Sequence, residues 1–441
     1  MGRMPRRLTS SQIIVLGFLG AILLGAFLLM LPISTADGQG ATFADAVFTA
    51  TSATCVTGLV VQDTATYWSG FGQAVILLLI QVGGMGVVTF AVAITVASGK
   101  KIGLMQRSTM QEAISAHQMG GIVKLTGFIL KTSAIIEVTG AALLAPAFIK
   151  EFGVGKGIWY SFFHSISAFC NAGFDLMGVK EKYSSLTSFS DNPLVNIVVM
   201  SLIIIGGIGF LVWDDIKTNK FHVRKYRMQT KIVLITSAFL ILLPALYFFL
   251  EFAGMDIKSR IFNSLFQSVT TRTAGFNTYD LTKLNSGGIS IMIVLMLIGG
   301  SPGSTAGGMK TTTFAVVILT AFSVFRRKEH TDFAGRSIAD SVLRNAIAIV
   351  TMYLLLFLTG GVIITAVEGL PMMTCMFETA SAVGTVGLTL GITPNLSTVS
   401  RIILIFLMYI GRVGGLTLLF SAVTPSQSTM SKLPQEKLTV G

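Results

Sequence analysis

Charge is scarce in this chain: Asp, Glu, Lys and Arg make up 12% of its 441 residues, where a soluble domain carries about a quarter. So few ionised groups cannot cover a water-exposed surface, which excludes an ordinary soluble globule at any domain count. Proline is equally sparse, at 10 residues, and together with 31 Phe and 20 Met this excludes a disordered chain. The three cysteines, Cys55, Cys170 and Cys375, form no C-x-x-C pair and have no ligand spacing to a histidine. Neither a disulfide framework nor a zinc site is indicated. What remains is apolar: 52% of residues are hydrophobic and the mean hydropathy is +0.76. The lipid bilayer is the expected solvent. A net charge of +12 would suggest nucleic acid in a soluble protein; in a membrane chain it is the basic excess that orients loops, and no nucleic-acid partner is expected.

A spanning helix needs about 20 apolar residues. Eight runs qualify: Ile13 to Leu31, Phe71 to Ala97, Ile122 to Phe148, Leu194 to Val212, Ile232 to Leu250, Ile289 to Phe325 (overlong and interrupted), Leu343 to Val367 and Ile402 to Val423. The first follows a basic stretch like that of a signal peptide, but its apolar run is longer than a typical signal core and no A-x-A site follows, so it is read as retained. Basic residues fall in alternate connections. Arg3, Arg6 and Arg7 precede the first run, Lys100, Lys101 and Arg107 follow the second, Lys217 to Lys231 follow the fourth, and Arg326, Arg327, Lys328 and Arg336 follow the sixth. With Lys432 and Lys437 in the tail, both termini are expected in the cytoplasm.

The opposite connections are too long and too apolar for ordinary loops, and each repeats one pattern. They read F-T-A-T-S-A-T-C-V-T-G-L from Phe48, F-H-S-I-S-A-F-C-N-A-G-F from Phe163, F-Q-S-V-T-T-R-T-A-G-F from Phe266 (one residue shorter) and F-E-T-A-S-A-V-G-T-V-G-L from Phe377. Their glycines, Gly58, Gly173, Gly275 and Gly387, are separated by 115, 102 and 112 residues. The expected fold is therefore an all-α membrane protein of four tandem helix–pore loop–helix repeats around a pseudo-fourfold central pore. The repeats divide at residues 1–108, 109–222, 223–336 and 337–441. Glycine-rich runs echo the register inside the following helices, at Gly83-Gly84-Met85-Gly86, Gly206-Gly207-Ile208-Gly209, Gly299-Gly300 and Gly411-Arg412-Val413-Gly414-Gly415. Taken singly, these read equally well as small-residue helix contacts.

Non-helical backbone survives at membrane depth only where it is buried in protein or lines water. Four glycine-ended turns around one axis do both, and their free carbonyls can replace a cation's hydration shell. Glycine permits the backbone conformations that aim a carbonyl inward, and the preceding half-helices point their negative ends at the ion. The lining so predicted is Thr54, Cys55, Val56, Thr57 and Gly58; Phe169, Cys170, Asn171, Ala172 and Gly173; Thr271, Arg272, Thr273, Ala274 and Gly275; and Val383, Gly384, Thr385, Val386 and Gly387. Apart from Arg272 these side chains are neutral, which suits carbonyl coordination and not a ring of carboxylates. Arg272 is expected behind the filter as a structural anchor, paired with a carbonyl or an acid.

Two interruptions lie below. Residues 299–313, rich in Gly and containing Pro302, cannot stay helical, because Gly costs about 1 kcal/mol and Pro about 3 kcal/mol in a helix interior. They are expected to form a gate, with Gly300, Gly303, Gly307, Gly308 and Lys310 as its candidate residues; the plainer reading is a kink that relieves packing. Arg412, inside the last apolar run, should face the pore, since a charge there is costly unless it meets water or a partner.

Taken together, Cys55 to Leu59, Phe169 to Phe174, Thr271 to Asn277 and Gly384 to Leu388 make the whole chain resemble the membrane subunit of the Trk/Ktr/HKT potassium-transporter superfamily, of the bacterial KtrB type. The resemblance implies potassium uptake across a bacterial cell membrane through a gated pore, with potassium bound by filter carbonyls and sodium as an activator. It implies no organic cofactor in this chain, Arg412 closing against the intramembrane loop, and a homodimer on a cytoplasmic, nucleotide-binding ring of regulatory subunits. Cys55 stands where relatives often have Thr.

Other polar residues carry weaker signals. His164 and Glu378, with Thr49 and Gln267 in the other copies, are expected to satisfy free N–H groups near the starts of the pore helices. Glu137, inside the third run, is either functional or a helix-to-helix hydrogen bond. Asp63, Asp175 and Asp280 are placed to concentrate cations at the outer mouth. A sodium-permeable or sodium-coupled relative is the rival within transport. A membrane enzyme lacks H-E-x-x-H, paired intramembrane aspartates or a serine–histidine pair; inverted-repeat transport conflicts with the parallel sense of the copies; and the Gly-rich runs follow no strand, so a dinucleotide site is not expected.

Overall fold

The computed structural model describes residues 8–98, 102–114 and 121–422. Arg3, Arg6, Arg7, Lys100, Lys101, Lys432 and Lys437, invoked above for sidedness, lie outside them. The regular structure of the described residues is helical apart from a small β-hairpin of two two-residue strands, β1 (Asp332–Phe333) against β2 (Arg336–Ser337), in one connection.

The same order of elements recurs four times. In the first unit α1 (Ser10–Leu29) leads to a short α2 (Phe43–Thr54), then α3 (Gly70–Met85) and α4 (Val87–Ala97), with α5 (Leu104–Ile114) as a connector. The second unit runs α6 (Ile122–Phe152), α7 (Val154–Phe169), α8 (Pro193–Gly207) and α9 (Phe210–Asn219). The third has α10 (Met228–Glu251), α11 (Ile257–Thr270), α12 (Ser286–Leu297) and α13 (Thr311–Phe325). The fourth has α14 (Asp340–Glu368), α15 (Met372–Gly384), α16 (Thr398–Val413) and α17 (Gly415–Ala422).

The leading helix of each unit, α1, α6, α10 or α14, is long and apolar enough to cross a membrane. Even the shortest, α1 at 20 residues, spans about 30 Å at 1.5 Å per residue. Their outward faces remain apolar where no protein covers them: Leu23, Leu24 and Phe27 on α1, and Leu242, Leu243 and Leu246 on α10, are exposed. Faces of that kind are stable against lipid and unstable against water. The short second helices, α2, α7, α11 and α15, are drawn into the centre instead. Phe48, Phe163, Phe266 and Phe377, which open the repeated motif, are all 0% exposed.

The runs Phe71 to Ala97, Leu194 to Val212 and Ile402 to Val423, expected as continuous spans, are each broken. α3 and α4 meet at 97° and α8 and α9 at 94°; Val423 itself lies outside the described residues. Apolar content cannot signal a bend, and the break falls on glycines at positive φ, Gly86 (+87°), Gly209 (+98°) and Gly414 (+89°), where a side chain would be strained. The Ile289 to Phe325 run is interrupted as expected, with helix resuming at Thr311.

The first glycine of each run serves a close approach. A Cβ on Gly83, Gly206 or Gly411 would lie 1.9, 2.0 or 2.2 Å from the carbonyl oxygen of Thr54, Phe169 or Val383, at the end of the short helix of the same unit. Replacing Gly83 with Ala should therefore force α3 off α2. The expected outcome is a clear fall in the thermal unfolding temperature of the detergent-purified protein, whereas Gly127→Ala, where a Cβ meets nothing within 4 Å, should leave it unchanged or raise it.

Candidate ion-binding site

Each short helix ends in the same turn. The peptide N–H of the residue before the motif glycine folds back onto the helix: Thr57 donates to the Ser52 carbonyl at 2.8 Å, Ala172 to Ser167 at 2.8 Å, Ala274 to Thr270 at 3.0 Å and Val386 to Ser381 at 2.8 Å. Hydroxyls in the same column brace the glycine itself. Ser52 and Ser381 accept from the N–H of Gly58 (3.1 Å) and Gly387 (3.0 Å), while Ser167 donates to the Phe174 carbonyl at 2.7 Å and Thr270 to that of Phe276. With their N–H groups so occupied, the carbonyls of Thr57, Ala172, Ala274 and Val386 accept no hydrogen bond from the described residues.

Two left-handed residues shape each turn. The glycines have φ of +96°, +70°, +82° and +94° in chain order, and the residues two before them, Val56, Asn171, Thr273 and Thr385, have φ of +58°, +60°, +66° and +51°. Positive φ at β-branched Val and Thr is uncommon and costs on the order of 1–3 kcal/mol each, so these turns are held by their surroundings.

The turns meet. A Cβ on Gly58 would lie 2.5 Å from the Ala172 oxygen; on Gly173, 2.8 Å from Ala274 O; on Gly275, 2.4 Å from Val386 O; and on Gly387, 2.1 Å from Thr57 O. Each glycine thus faces the free carbonyl of the next unit, and the series closes on itself in the order 58, 173, 275, 387. The four glycines also line a single cavity of about 190 Å³, which Asp175 and Asp280 border. The Asp280 carboxyl is held below the usual range, first by the Thr282 hydroxyl that donates to it at 2.7 Å.

On the other side lies the broken segment of the third unit. Its backbone is pinned to two other units: Ser301 N–H donates to Gly207 O at 2.9 Å, Thr305 N–H to Gly206 O at 3.2 Å, and Gly308 N–H to Gly411 O at 3.1 Å. The Thr305 hydroxyl donates to Phe169 O at 3.0 Å. A Cβ on Gly307 would strike the Thr385 hydroxyl at 2.2 Å, one on Gly308 the Gly384 carbonyl at 2.7 Å, and one on Gly300 the Ala306 side chain at 2.3 Å. Gly303, at φ +62°, packs against the Ile114 carbonyl. Lys310 folds back, donating to Ala306 O at 2.8 Å and Gly307 O at 3.3 Å. Arg412 spans the gap between units, donating to Thr305 O on the loop and to Gly83 O and, at 2.9 Å, Gly84 O at the end of α3. Lys310 and Arg412 both line a second cavity, of about 240 Å³.

Arg272, Asp63, His164 and Glu378 depart from expectation, while Cys55, Cys170 and Glu137 do not. Arg272 is buried behind the turn, but its guanidinium donates to the Ser237 hydroxyl at 3.1 Å, and not to a carbonyl or an acid; only its backbone belongs to the turn. Cys55 and Cys170 are fully buried thiols, the latter 3.6 Å from Gln81 Oε1. Glu137 makes the helix-to-helix bond, accepting from Gln81 Nε2 at 2.9 and 3.1 Å. Asp63 is occupied by loop N–H groups of Ala65, Thr66 and Tyr183 and does not line the outer cavity. His164 and Glu378 serve no free N–H at a helix start; both lie mid-helix and reach forward to the chain beyond the glycine. The hydroxyl column of Ser52, Ser167, Thr270 and Ser381 was overlooked, though it stands in register in the four aligned segments.

Four re-entrant hairpins enclosing one axial ring of carbonyls, between two cavities and inside a lipid-facing shell of helices, define an integral membrane protein built around a passage. The chain belongs to the TrkH family, described as cation transport protein, whose model matches residues 5–432. Among similar proteins, the Ktr system potassium uptake protein B of Bacillus subtilis is 40% identical over 96% of this chain and 95% of its own. The potassium/sodium uptake protein NtpJ of Enterococcus hirae is 38% identical over 100% and 99%. The crystal structure of the potassium transporter TrkH from Vibrio parahaemolyticus has a similar fold, with a TM-score of 0.74 at 21% identity, covering 96% of this chain and 87% of that one.

Removing a hydroxyl that braces a motif glycine leaves a buried N–H without an acceptor, at a cost of about 1–3 kcal/mol. Ser52→Ala and Ser381→Ala are each expected to lower thermal stability in detergent by that order, measured beside the exposed control Ser341→Ala.

Proposed function

We propose that this chain takes up potassium through a gated, channel-like pore whose selectivity filter is the ring of turns at Gly58, Gly173, Gly275 and Gly387. The observation that carries the reading is the closed series in which each glycine faces the unengaged carbonyl of the next unit. Those oxygens, with no hydrogen bond to satisfy, are available to a dehydrated monovalent cation, and the short helices direct the negative ends of their dipoles at it. The names of the similar uptake proteins, which specify potassium, support the choice of ion.

The filter residues are those predicted at 54–58, 169–173, 271–275 and 383–387. The segment 299–313 is the gate, because it lies against Gly384 and Thr385 at one end of the turns and is held there by hydrogen bonds that a modest displacement would break. Arg412 closes it by joining Thr305 to Gly83 and Gly84, and its charge raises the barrier to cations between filter and inner cavity. The four repeats divide at 1–108, 109–222, 223–336 and 337–441. The basic residues of the α9–α10 and α13–α14 connections favour the cytoplasmic side for those connections, and both termini lie on that side of a bacterial membrane. Transport involves no covalent chemistry and no organic cofactor, the chain works as a homodimer, and a cytoplasmic nucleotide-binding ring regulates it.

The joint naming of potassium and sodium for NtpJ favours a second reading, in which sodium also permeates or is coupled to transport. Purified protein in proteoliposomes separates the two: potassium uptake should be competed weakly by sodium if only potassium permeates, and sodium should carry flux of its own under the second reading.

In that assay Gly58→Ser and Gly173→Ser should reduce the preference for potassium over sodium about tenfold or more, the ratio produced by roughly 1.4 kcal/mol of lost carbonyl alignment. Unaltered preference would end the filter assignment. Arg412→Ala should raise the potassium flux, and an unchanged rate would remove its part in the gate.

A further inference from the structure

The pore is fourfold in its glycines but only twofold in whether the residue after the motif phenylalanine holds the chain beyond them. The residue after the motif phenylalanine is Thr49, His164, Gln267 and Glu378 in the four units, and all four are buried. In the second unit, His164 Nδ1 donates to the Tyr160 carbonyl at 2.7 Å, which leaves Nε2 to accept from the N–H of Leu176 at 3.2 Å, three residues past Gly173. Its ring also lies 6.3 Å from that of Phe276, the residue after Gly275 in the next unit. In the fourth, the Glu378 carboxylate accepts from the hydroxyl of Thr389 at 2.9 Å, two residues past Gly387, and from that of Thr393.

The other two units lack this brace. The Thr49 hydroxyl and both polar atoms of the Gln267 amide have no hydrogen-bond partner among the described residues. There the chain beyond the glycine is held from one helical turn further back, three residues before the phenylalanine. Asp45 accepts from Gln62 at 3.2 Å in the first unit, and Asn263 from the Thr278 hydroxyl at 2.7 Å in the third. Because the glycines follow one another around the ring in chain order, the near braces sit on opposite sides of the pore and the far braces on the other two.

We infer that His164 and Glu378 are positioning residues for ion selection: they hold the outer strands of the second and fourth turns, and the spacing across that diagonal sets how well the opposed carbonyls fit a bare potassium ion. The inference rests on the filter reading above. It draws on the left-handed backbone of these two turns, which Asn171 tolerates and which is strained at Thr385. A turn held in a sparsely populated conformation persists only while its surroundings over-determine it, and a buried side chain gripping the chain within three residues of the glycine adds to the hydroxyl bonds of Ser167 and Ser381 as a constraint on these two strands.

The test uses full-length protein in proteoliposomes and reads the apparent KM for potassium, the maximal rate and the potassium-to-sodium preference. His164→Leu and Glu378→Leu should each lower the preference and raise KM by about fivefold, the ratio equivalent to one net hydrogen bond of about 1 kcal/mol, while the maximal rate is retained. His164→Gln and Glu378→Gln, which keep an acceptor at that reach, should restore the parent values. Thr49→Val and Gln267→Met, at the same position in the unbraced units, should change none of the three. If the Leu variants keep full preference while Gly58→Ser loses it in the same assay, the positioning role is overturned and the filter stands; if Gly58→Ser also keeps it, the filter reading itself has failed. Equal defects in the Leu and Gln variants would overturn the role as well, since only packing would then be involved. Should Glu378→Leu not fold, Thr389→Val, which deletes the hydroxyl Glu378 holds, must lower preference for the inference to survive.

Discussion

Four backbones approach one another more closely than any side chain permits, and the remainder of the molecule is arranged around that contact. Carbonyl oxygens of one unit sit where the β-carbon of the next unit would be, so the ring exists only with glycine at all four places. Such proximity concentrates like-oriented dipoles, which repel one another unless a cation lies among them. The hydrogen bonds that turn each peptide N–H back onto its own short helix, and the hydroxyls behind the glycines, counter that repulsion locally. Burial of the motif phenylalanines fixes the short helices from behind.

A second layer of glycines links this ring to the segment beneath it. Gly83, Gly206 and Gly411 let α3, α8 and α16 press against the ends of the short helices, and three residues further on Gly86, Gly209 and Gly414 turn those helices aside. The carbonyls freed at these breaks do not go unused: Gly83, Gly84, Gly206, Gly207 and Gly411 receive Arg412 or the backbone of the broken third unit. Ring and loop therefore share one set of glycine-rich junctions, and a shift of the loop must alter bonds at the floor of the ring. The third unit departs from the pattern because its own helix is interrupted at that level; it supplies the loop instead of a junction.

The architecture was legible because it is written as repetition. Similar intervals of 115, 102 and 112 residues between Gly58, Gly173, Gly275 and Gly387 locate the ring, and the excess of Gly around Pro302 locates the interruption, since both depend on backbone freedom that residue type alone reveals. The bends at Gly86, Gly209 and Gly414 were missed because hydropathy sums over a window and is indifferent to direction. Partner choice was less legible still. Arg272 meets Ser237 on α10, and Glu378 meets threonines eleven and fifteen residues onward, through a packing of helices that no local pattern encodes. The left-handed conformation of Val56, Thr273 and Thr385 ran against residue preference, since β-branched side chains avoid that region; tertiary restraint prevails there.

In a tetramer of identical chains any amino-acid exchange in the ring appears four times over, and the aperture stays square. Here all four quadrants lie on a single polypeptide, and the third carries a hairpin one residue shorter than the rest. Each quadrant is thus free to diverge alone, so the aperture can become oblong, with its two diameters adjusted by separate mutations.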